Sequence, residues 1–180
     1  MLSLLALVAA QASPPPLVRT NPTAPPPIIT YGPPKNDWRW SDWVVSNDPE
    51  ITIGLTKNTS ESSFGMVCLE DCSWFVDFNL ECQEDTTYPA MVAAGGVVYP
   101  LKLECLIVGD SYLLIYNVTA MPMAAVSGQG QLAFVIGNKD GSFNVSRFSL
   151  AGAPPALAKT MTLAVERGKR KQSRPKDYKL

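Results

Sequence analysis

Alternation of apolar and polar residues is the dominant pattern in the middle of this chain. From Cys72 to Cys82 every second residue is apolar, while the residues between them include Asp77 and Glu81. Residues 97–107 alternate in the same way, and their apolar series ends on Cys105 and Ile107. A period of two places successive side chains on opposite faces of a β-strand. Both stretches therefore predict strands that direct cysteines into a core.

Shorter segments extend this pattern over most of the chain. An extended segment with Trp38 and Trp40 on one face is the first predicted strand. Further strands are predicted over residues 50–57, 62–68, 88–93, 112–118, 131–136 and 143–148, the last two joined by a hairpin loop that contains Asp-Gly. Residues 154–167 change to near-helical spacing. We predict a mainly β fold, either an antiparallel β-sandwich or a partly open barrel, with about nine strands and one C-terminal helix.

The two ends of the chain differ in composition from this domain, which we assign to residues 37–167. Residues 1–12 combine a short apolar run with small residues at Ala10 and Ala12, a pattern typical of a signal peptide that is cleaved after Ala12. Residues 13–36 are rich in proline and predict an extended linker. Residues 168–180 are basic, with too little apolar content to fold, and predict a disordered tail. The apolar run falls short of the roughly 20 residues that span a bilayer, so we expect an exported protein, periplasmic or secreted, that is not transmembrane.

The four cysteines are expected to form disulfides in that oxidising compartment. Cys68 and Cys72 flank a three-residue loop between two predicted strands, so their side chains are neighbours. A bridge between Cys72 and Cys82 is disfavoured, because the intervening strand residues at about 3.3 Å each separate them too far. Among the possible pairings we predict Cys68 with Cys72 and Cys82 with Cys105. The cysteine spacing lacks the paired knuckles of zinc ribbons, and we predict no metal site.

Charge and composition narrow the chemistry further. The chain contains no histidine, the usual general base and transition-metal ligand. Residues 36–165 carry 14 acidic and 6 basic side chains. Asp77 and Glu81 could act as the paired carboxylates of a polysaccharide hydrolase, but exposed acidic side chains on a strand are the simpler explanation. We predict no cofactor and no enzymatic activity, with the hydrolase kept as the alternative.

Two groups of residues are candidates for binding. Trp38, Trp40 and Trp43 could contact a sugar or lipid ligand, although packing onto the core is the commoner role of such a cluster. The basic tail could bind an anionic surface as an adhesion element, although a segment that only keeps the protein in solution is the simpler explanation. Because an export signal is predicted, the expected partner is an envelope protein or an anionic surface rather than nucleic acid. The candidate anion-binding residues are Arg167, Lys169, Arg170, Lys171, Arg174 and Lys176.

Several of these segments resemble known proteins. The Trp-rich start DWRWSDW, the cysteine segment FGMVCLEDCSWFVDFNLEC, the YPAMV segment and the LKLEC strand resemble a group of small exported proteobacterial proteins of unassigned function. The stretch FSLAGAPPALAKTM, a strand followed by an Ala-rich helix, is similar to the end of the invasion-associated locus B family. The resemblance implies a periplasmic or envelope-associated β-sandwich-like domain, and it transfers no catalytic residue to this chain.

Overall fold

A computed structural model of the protein describes residues 18–19, 37–108, 111–137 and 142–173. The predicted signal peptide, most of the predicted linker and residues 174–180 lie outside the described residues. The described chain folds into a ten-stranded antiparallel sheet, a separate pair of two-residue strands and a long C-terminal helix. The prediction of a mainly β fold with one C-terminal helix is confirmed.

The strands, numbered along the chain, are short at the N-terminal end of the domain and longest in its centre. They are β1 Val18–Arg19, β2 Trp38–Trp40, β3 Trp43–Asn47, β4 Thr52–Lys57, β5 Ser63–Cys68, β6 Cys72–Asp77, β7 Leu80–Glu81, β8 Thr87–Ala94, β9 Val97–Val108, β10 Ser111–Asn117, β11 Gln131–Gly137 and β12 Phe143–Ser149. The ten-stranded sheet has the order β12-β11-β8-β9-β10-β6-β5-β4-β3-β2, and β1 pairs with β7 apart from it. A 3₁₀ turn at Val118–Ala120, the short helix α1 Met123–Val126 and the helix α2 Ala153–Ser173 complete the fold.

The sheet is curled, so that strands far apart in its order meet across a shared interior. The ring of Phe64 on β5 lies 5.5 Å from that of Phe134 on β11 and 5.7 Å from that of Phe148 on β12. Contacts between strands five and six places apart in the order require the sheet to fold over on itself. Its end strands β2 and β12 are not hydrogen-bonded to each other, so the sheet does not close into a barrel.

Each face of the sheet has its own apolar cluster. The inner face carries the main core, which includes Trp74, Leu103 and Tyr116. The outer face of β4, β5, β6 and β10 carries a smaller buried cluster. Its buried members are Ile53, Val67, Phe75 and Leu113.

The stretch from Cys72 to Cys82 forms two strands rather than the one predicted. Asp77 Oδ1 accepts a hydrogen bond of 2.7 Å from the backbone N–H of Asn79, and Asn79 has a φ of 55°. This Asx turn bends the chain out of the sheet after β6. The strand β7 then leaves the main sheet and pairs with β1.

Helix α2 packs on the inner face of β2, β3, β4 and β5. Its buried Thr160 lies against Gly54 of β4, where a Cβ atom would collide with the threonine hydroxyl. The helix ends at Ser173 rather than near Arg167 as predicted. Residues 168–173 are therefore helical, and the prediction of a disordered tail that starts at residue 168 is wrong for these residues.

Candidate functional site

Both predicted disulfides are present. Cys68 and Cys72 are directly opposite each other in the β5–β6 hairpin, with a Cα separation of 4.0 Å. Cys82 and Cys105 are bridged with a Cα separation of 5.8 Å. The first bridge fixes a tight turn, whereas the second joins the segment after β6 to the central strand β9. All four thiols are thereby consumed, so none is available as a metal ligand or nucleophile.

The three candidate tryptophans occupy different environments. Trp43 is fully buried, and its Nε1 donates a hydrogen bond of 3.0 Å to the carbonyl of Ser149. It therefore presents no surface to a ligand, and the prediction of a binding role for Trp43 is wrong. Trp38 and Trp40 are half-buried and pack against the core. The Nζ atom of Lys159 on α2 lies 4.5 Å from the centre of the Trp38 ring, a cation–π contact that holds the helix against β2.

Arg167, predicted as part of an exposed basic tail, is instead a buried anchor. Only 5% of its surface is exposed. Its Nη1 donates to Thr52 Oγ1 at 2.8 Å, and its Nη2 donates to the carbonyls of Cys68 and Leu69 at 2.6 Å each. A single guanidinium therefore joins helix α2 to β4 and to the turn of the disulfide-linked hairpin. The assignment of Arg167 to an anion-binding tail is wrong, because its donors are already used within the domain.

The electrostatic surroundings of this anchor are mixed. Burial lowers the pKa of Arg167, the positive charge of Arg170 lowers it further, and the negative charge of Asp48 acts in the opposite direction. Lys169 and Arg170 are exposed on the last turns of α2. The side chains of Lys171, Arg174 and Lys176 lie outside the described residues. The basic segment that begins at Lys169, which we call the basic helix end, is thus partly an ordered extension of α2.

The candidate carboxylates of the alternative hydrolase are in contrasting positions. Asp77 ends β6 and is partly buried, whereas Glu81 is exposed on β7. Burial raises the pKa of Asp77 above its ordinary value of 3.8, and the hydrogen bond from the Asn79 N–H and the positive charge of Lys57 offset part of the rise. A raised pKa suits a general acid. It also arises wherever a carboxylate is partly desolvated without a close cation.

Within the described ranges, no group of three or more histidine, cysteine, aspartate or glutamate side chains is arranged to hold a metal ion. In the same part of the chain, no helix combines the length and the apolar content needed to cross a membrane.

Comparison with known proteins shows similarity to solved structures alone. No family model and no curated protein matches the chain. Among solved structures, the fold is similar to that of invasion associated protein B from Bartonella henselae, with a TM-score of 0.38 and 12% sequence identity, over 72% of this chain and 98% of that protein's chain. At such a TM-score the similarity carries no information about function.

Proposed function

We propose that this protein is an exported, non-enzymatic component of the cell envelope, periplasmic or secreted, whose β domain binds or supports a partner. The observation that carries the proposal is the oxidation of all four cysteines into two disulfides. Such bonds persist in oxidising compartments and are rare where glutathione and thioredoxin keep thiols reduced. The apolar run of residues 2–10 and the small residues that follow it support export.

Export can be tested on the full chain expressed in a bacterial host. We expect the mature protein to be recovered outside the cytoplasm, to begin at residue 13, and to contain no free thiol in non-reducing mass spectrometry. The variant Ala12→Leu should retain the leader, because a bulky residue before the cleavage site blocks the peptidase. A chain recovered in the cytoplasm with four free thiols would contradict the proposal.

The partner we propose is an envelope protein or an anionic envelope surface, contacted through the basic helix end. Its exposed Lys169 and Arg170 lie at the C-terminal end of α2, which is the negative end of the helix dipole. The attraction to an anionic surface must therefore come from the charged side chains rather than from the dipole. Removing everything after Val165 would be a poor test, because it also deletes the buried Arg167. Neutralising residues 169–171 leaves that anchor in place.

The variant Lys169→Gln/Arg170→Gln/Lys171→Gln is therefore compared with the unaltered chain for retention on anionic vesicles at low salt. About 1 kcal/mol per cation near such a surface predicts a loss of affinity on the order of 100-fold. Lys57→Gln, which removes an exposed cation elsewhere, serves as the control. Equal retention of the triple variant and the unaltered chain would remove the basic helix end from consideration.

A hydrolase acting on polysaccharide is the second candidate, because burial raises the pKa of Asp77 as a general acid requires. Turnover on a panel of envelope glycans, abolished by Asp77→Asn or Glu81→Gln with folding intact, would support it. An absence of turnover by the unaltered chain would eliminate it.

A further inference from the structure

The outer faces of β12, β11, β8 and β9 carry an exposed apolar surface. The strand registers pair Val145 with Val135, Val135 with Met91, and Met91 with Pro100. Directly opposed residues in antiparallel strands lie on the same face of a sheet. Three adjacent rows, which we call the outer patch, therefore stand side by side. The first row contains the pairs Phe143–Gly137 and Pro89–Lys102, which lie just beyond the end of the β11–β8 pairing. The second row is Val145, Val135, Met91 and Pro100, and the third is Arg147, Ala133, Ala93 and Val98.

The apolar members of the outer patch are open to solvent. The exposed fractions are 64% for Phe143, 59% for Val98, 46% for Val145 and 43% for Met91. The alternation that would normally place polar side chains on a solvent-facing sheet is therefore broken on all four strands. Contiguous exposed apolar surfaces of this kind mark sites of interaction with a protein or a membrane.

The charges of the outer patch distinguish between those two partners. Lys102 and Arg147 stand at diagonally opposite corners of the grid, and the three rows contain no acidic residue. Both cations are exposed, and within the described part of the chain neither has an ion-pair partner. Glu104, the nearest acidic residue along β9, lies in the row beyond Lys102.

This composition is opposite to that of residues 36–165, in which acidic residues outnumber basic ones by 14 to 6. An apolar surface that carries only cations matches the interface of a bilayer with anionic lipids. There, apolar side chains enter the boundary between headgroups and acyl chains, while lysine and arginine extend to the phosphates.

We propose that the outer patch is a membrane-docking surface that binds the headgroup region of anionic phospholipid bilayers. Phe143 and Val98, at the two remaining corners of the grid, are the side chains that insert. Lys102 and Arg147 supply the attraction to the headgroups. This contact is separate from the basic helix end, which belongs to the C-terminal helix rather than to these strands.

The test measures co-sedimentation of the full chain with vesicles of phosphatidylglycerol and phosphatidylcholine, and with vesicles of phosphatidylcholine alone. We expect Phe143→Ser/Val98→Ser to weaken binding to the anionic vesicles at least about ten-fold, because two largely exposed apolar side chains lose their burial in the interface. We expect Lys102→Gln/Arg147→Gln to weaken it by about 30-fold at low salt, at roughly 1 kcal/mol per cation. On neutral vesicles the charge variant should bind as the unaltered chain does.

Matched controls are Leu69→Ser, which removes an apolar side chain that is 43% exposed outside the patch, and Lys57→Gln. Neither should change binding. All four replaced side chains are exposed, so we expect each patch variant to fold as the unaltered chain does. Circular dichroism and urea unfolding check this.

Three results would overturn the proposal. One is failure of the unaltered chain to bind anionic vesicles. Another is loss of binding in the Lys169→Gln/Arg170→Gln/Lys171→Gln variant but not in either patch variant, which would assign the membrane contact to the basic helix end. The third is a dimer in light scattering that Phe143→Ser/Val98→Ser converts to a monomer, which would make a second copy the occupant of the patch.

Discussion

Replacing Arg167 by methionine tests whether the buried guanidinium holds helix α2 to the sheet. Methionine is unbranched and retains the aliphatic part of the arginine side chain, so the change removes the hydrogen-bond donors while keeping part of the packing. The carbonyls of Cys68 and Leu69 and the hydroxyl of Thr52 would lose their partners together. Hydrogen bonds from a charged donor contribute about 1.5 to 3 kcal/mol each, and the cost of burying the cation offsets part of their sum. We therefore expect the free energy of unfolding to fall by about 2 to 4 kcal/mol.

The assay is urea unfolding of the full, oxidised chain, followed by tryptophan fluorescence. Lys169→Met, an exposed position on the same helix, is the matched control and should change the free energy of unfolding by less than about 0.5 kcal/mol. Arg167→Lys should give an intermediate loss, because one ammonium group cannot reproduce the fork that reaches both strands. Hydrogen exchange should become faster at the backbone N–H of Leu69, which donates to the Asp71 carbonyl in the anchored turn.

The reasoning would be refuted by an Arg167→Met variant that is as stable as the unaltered chain. It would be refuted equally by a loss of stability that leaves exchange in the Cys68–Cys72 turn unchanged. In either case the three hydrogen bonds would not be what attaches the helix.

Three further substitutions probe other parts of the domain. Gly54→Ala should lower the free energy of unfolding by about 1 to 3 kcal/mol, because the added methyl group collides with Thr160. In a double-mutant cycle measured by urea unfolding, adding Thr160→Ala should recover most of that loss. Tyr116→Phe should raise the free energy of unfolding by about 1 kcal/mol, because the buried hydroxyl has no hydrogen-bond partner among the described residues. A lower free energy of unfolding in calorimetry would show that the hydroxyl has a partner. Because burial raises the pKa of Asp77, its protonated form stabilises the folded state below pH 3.8, and this contribution is lost as the pH rises through the folded-state pKa. The variant Asp77→Asn should therefore raise the free energy of unfolding at about pH 7 and leave it unchanged at about pH 3. Equal effects of Asp77→Asn at the two pH values would contradict this assignment.

The sequence was sufficient to predict the Cys68–Cys72 disulfide because that pairing depends on local geometry, and the pairing of Cys82 with Cys105 followed by exclusion. Strand alternation sets which way each cysteine points, and the three-residue loop brings Cys68 and Cys72 together. The same reasoning overestimated the length of the strand after Cys72. A period of two continues across Asp77 and Asn79, and only the Asx hydrogen bond shows that the backbone turns there.

The charge of Arg167 and its basic neighbours predict a solvated tail, whereas its position on the helix predicts a buried side chain. The buried face of α2 runs through Ala156, Thr160 and Leu163, and Arg167 continues that face at helical spacing. Helical periodicity could therefore have placed it among the core positions. Trp43 offered no comparable signal, because the Trp-rich segment forms a hairpin of two strands and its sequence does not show which tryptophan faces inward.

The outer patch could not be predicted from separate segments. Each of its strands shows only one or two unexpected apolar residues, such as Met91 on β8 or Val145 on β12. Their adjacency depends on the pairing of β11 with β8, which are separated in sequence by β9, β10 and α1. A surface assembled by such long-range pairing becomes visible only when the order of the strands is known.

Because α2 covers β2 to β5, the last part of the domain to be synthesised packs on the first. Until Ala153 and the residues after it emerge from the ribosome, helix α2 cannot cover the inner sides of β3 and β4. Until β12 has been synthesised, Trp43 also lacks the Ser149 carbonyl that accepts its indole N–H. Contacts between residues so distant in sequence form slowly, since a long loop must close first. A nascent or prematurely terminated chain therefore displays an apolar strand surface to chaperones and proteases, and a stop codon anywhere before α2 should yield a product that is degraded rather than a shorter stable protein.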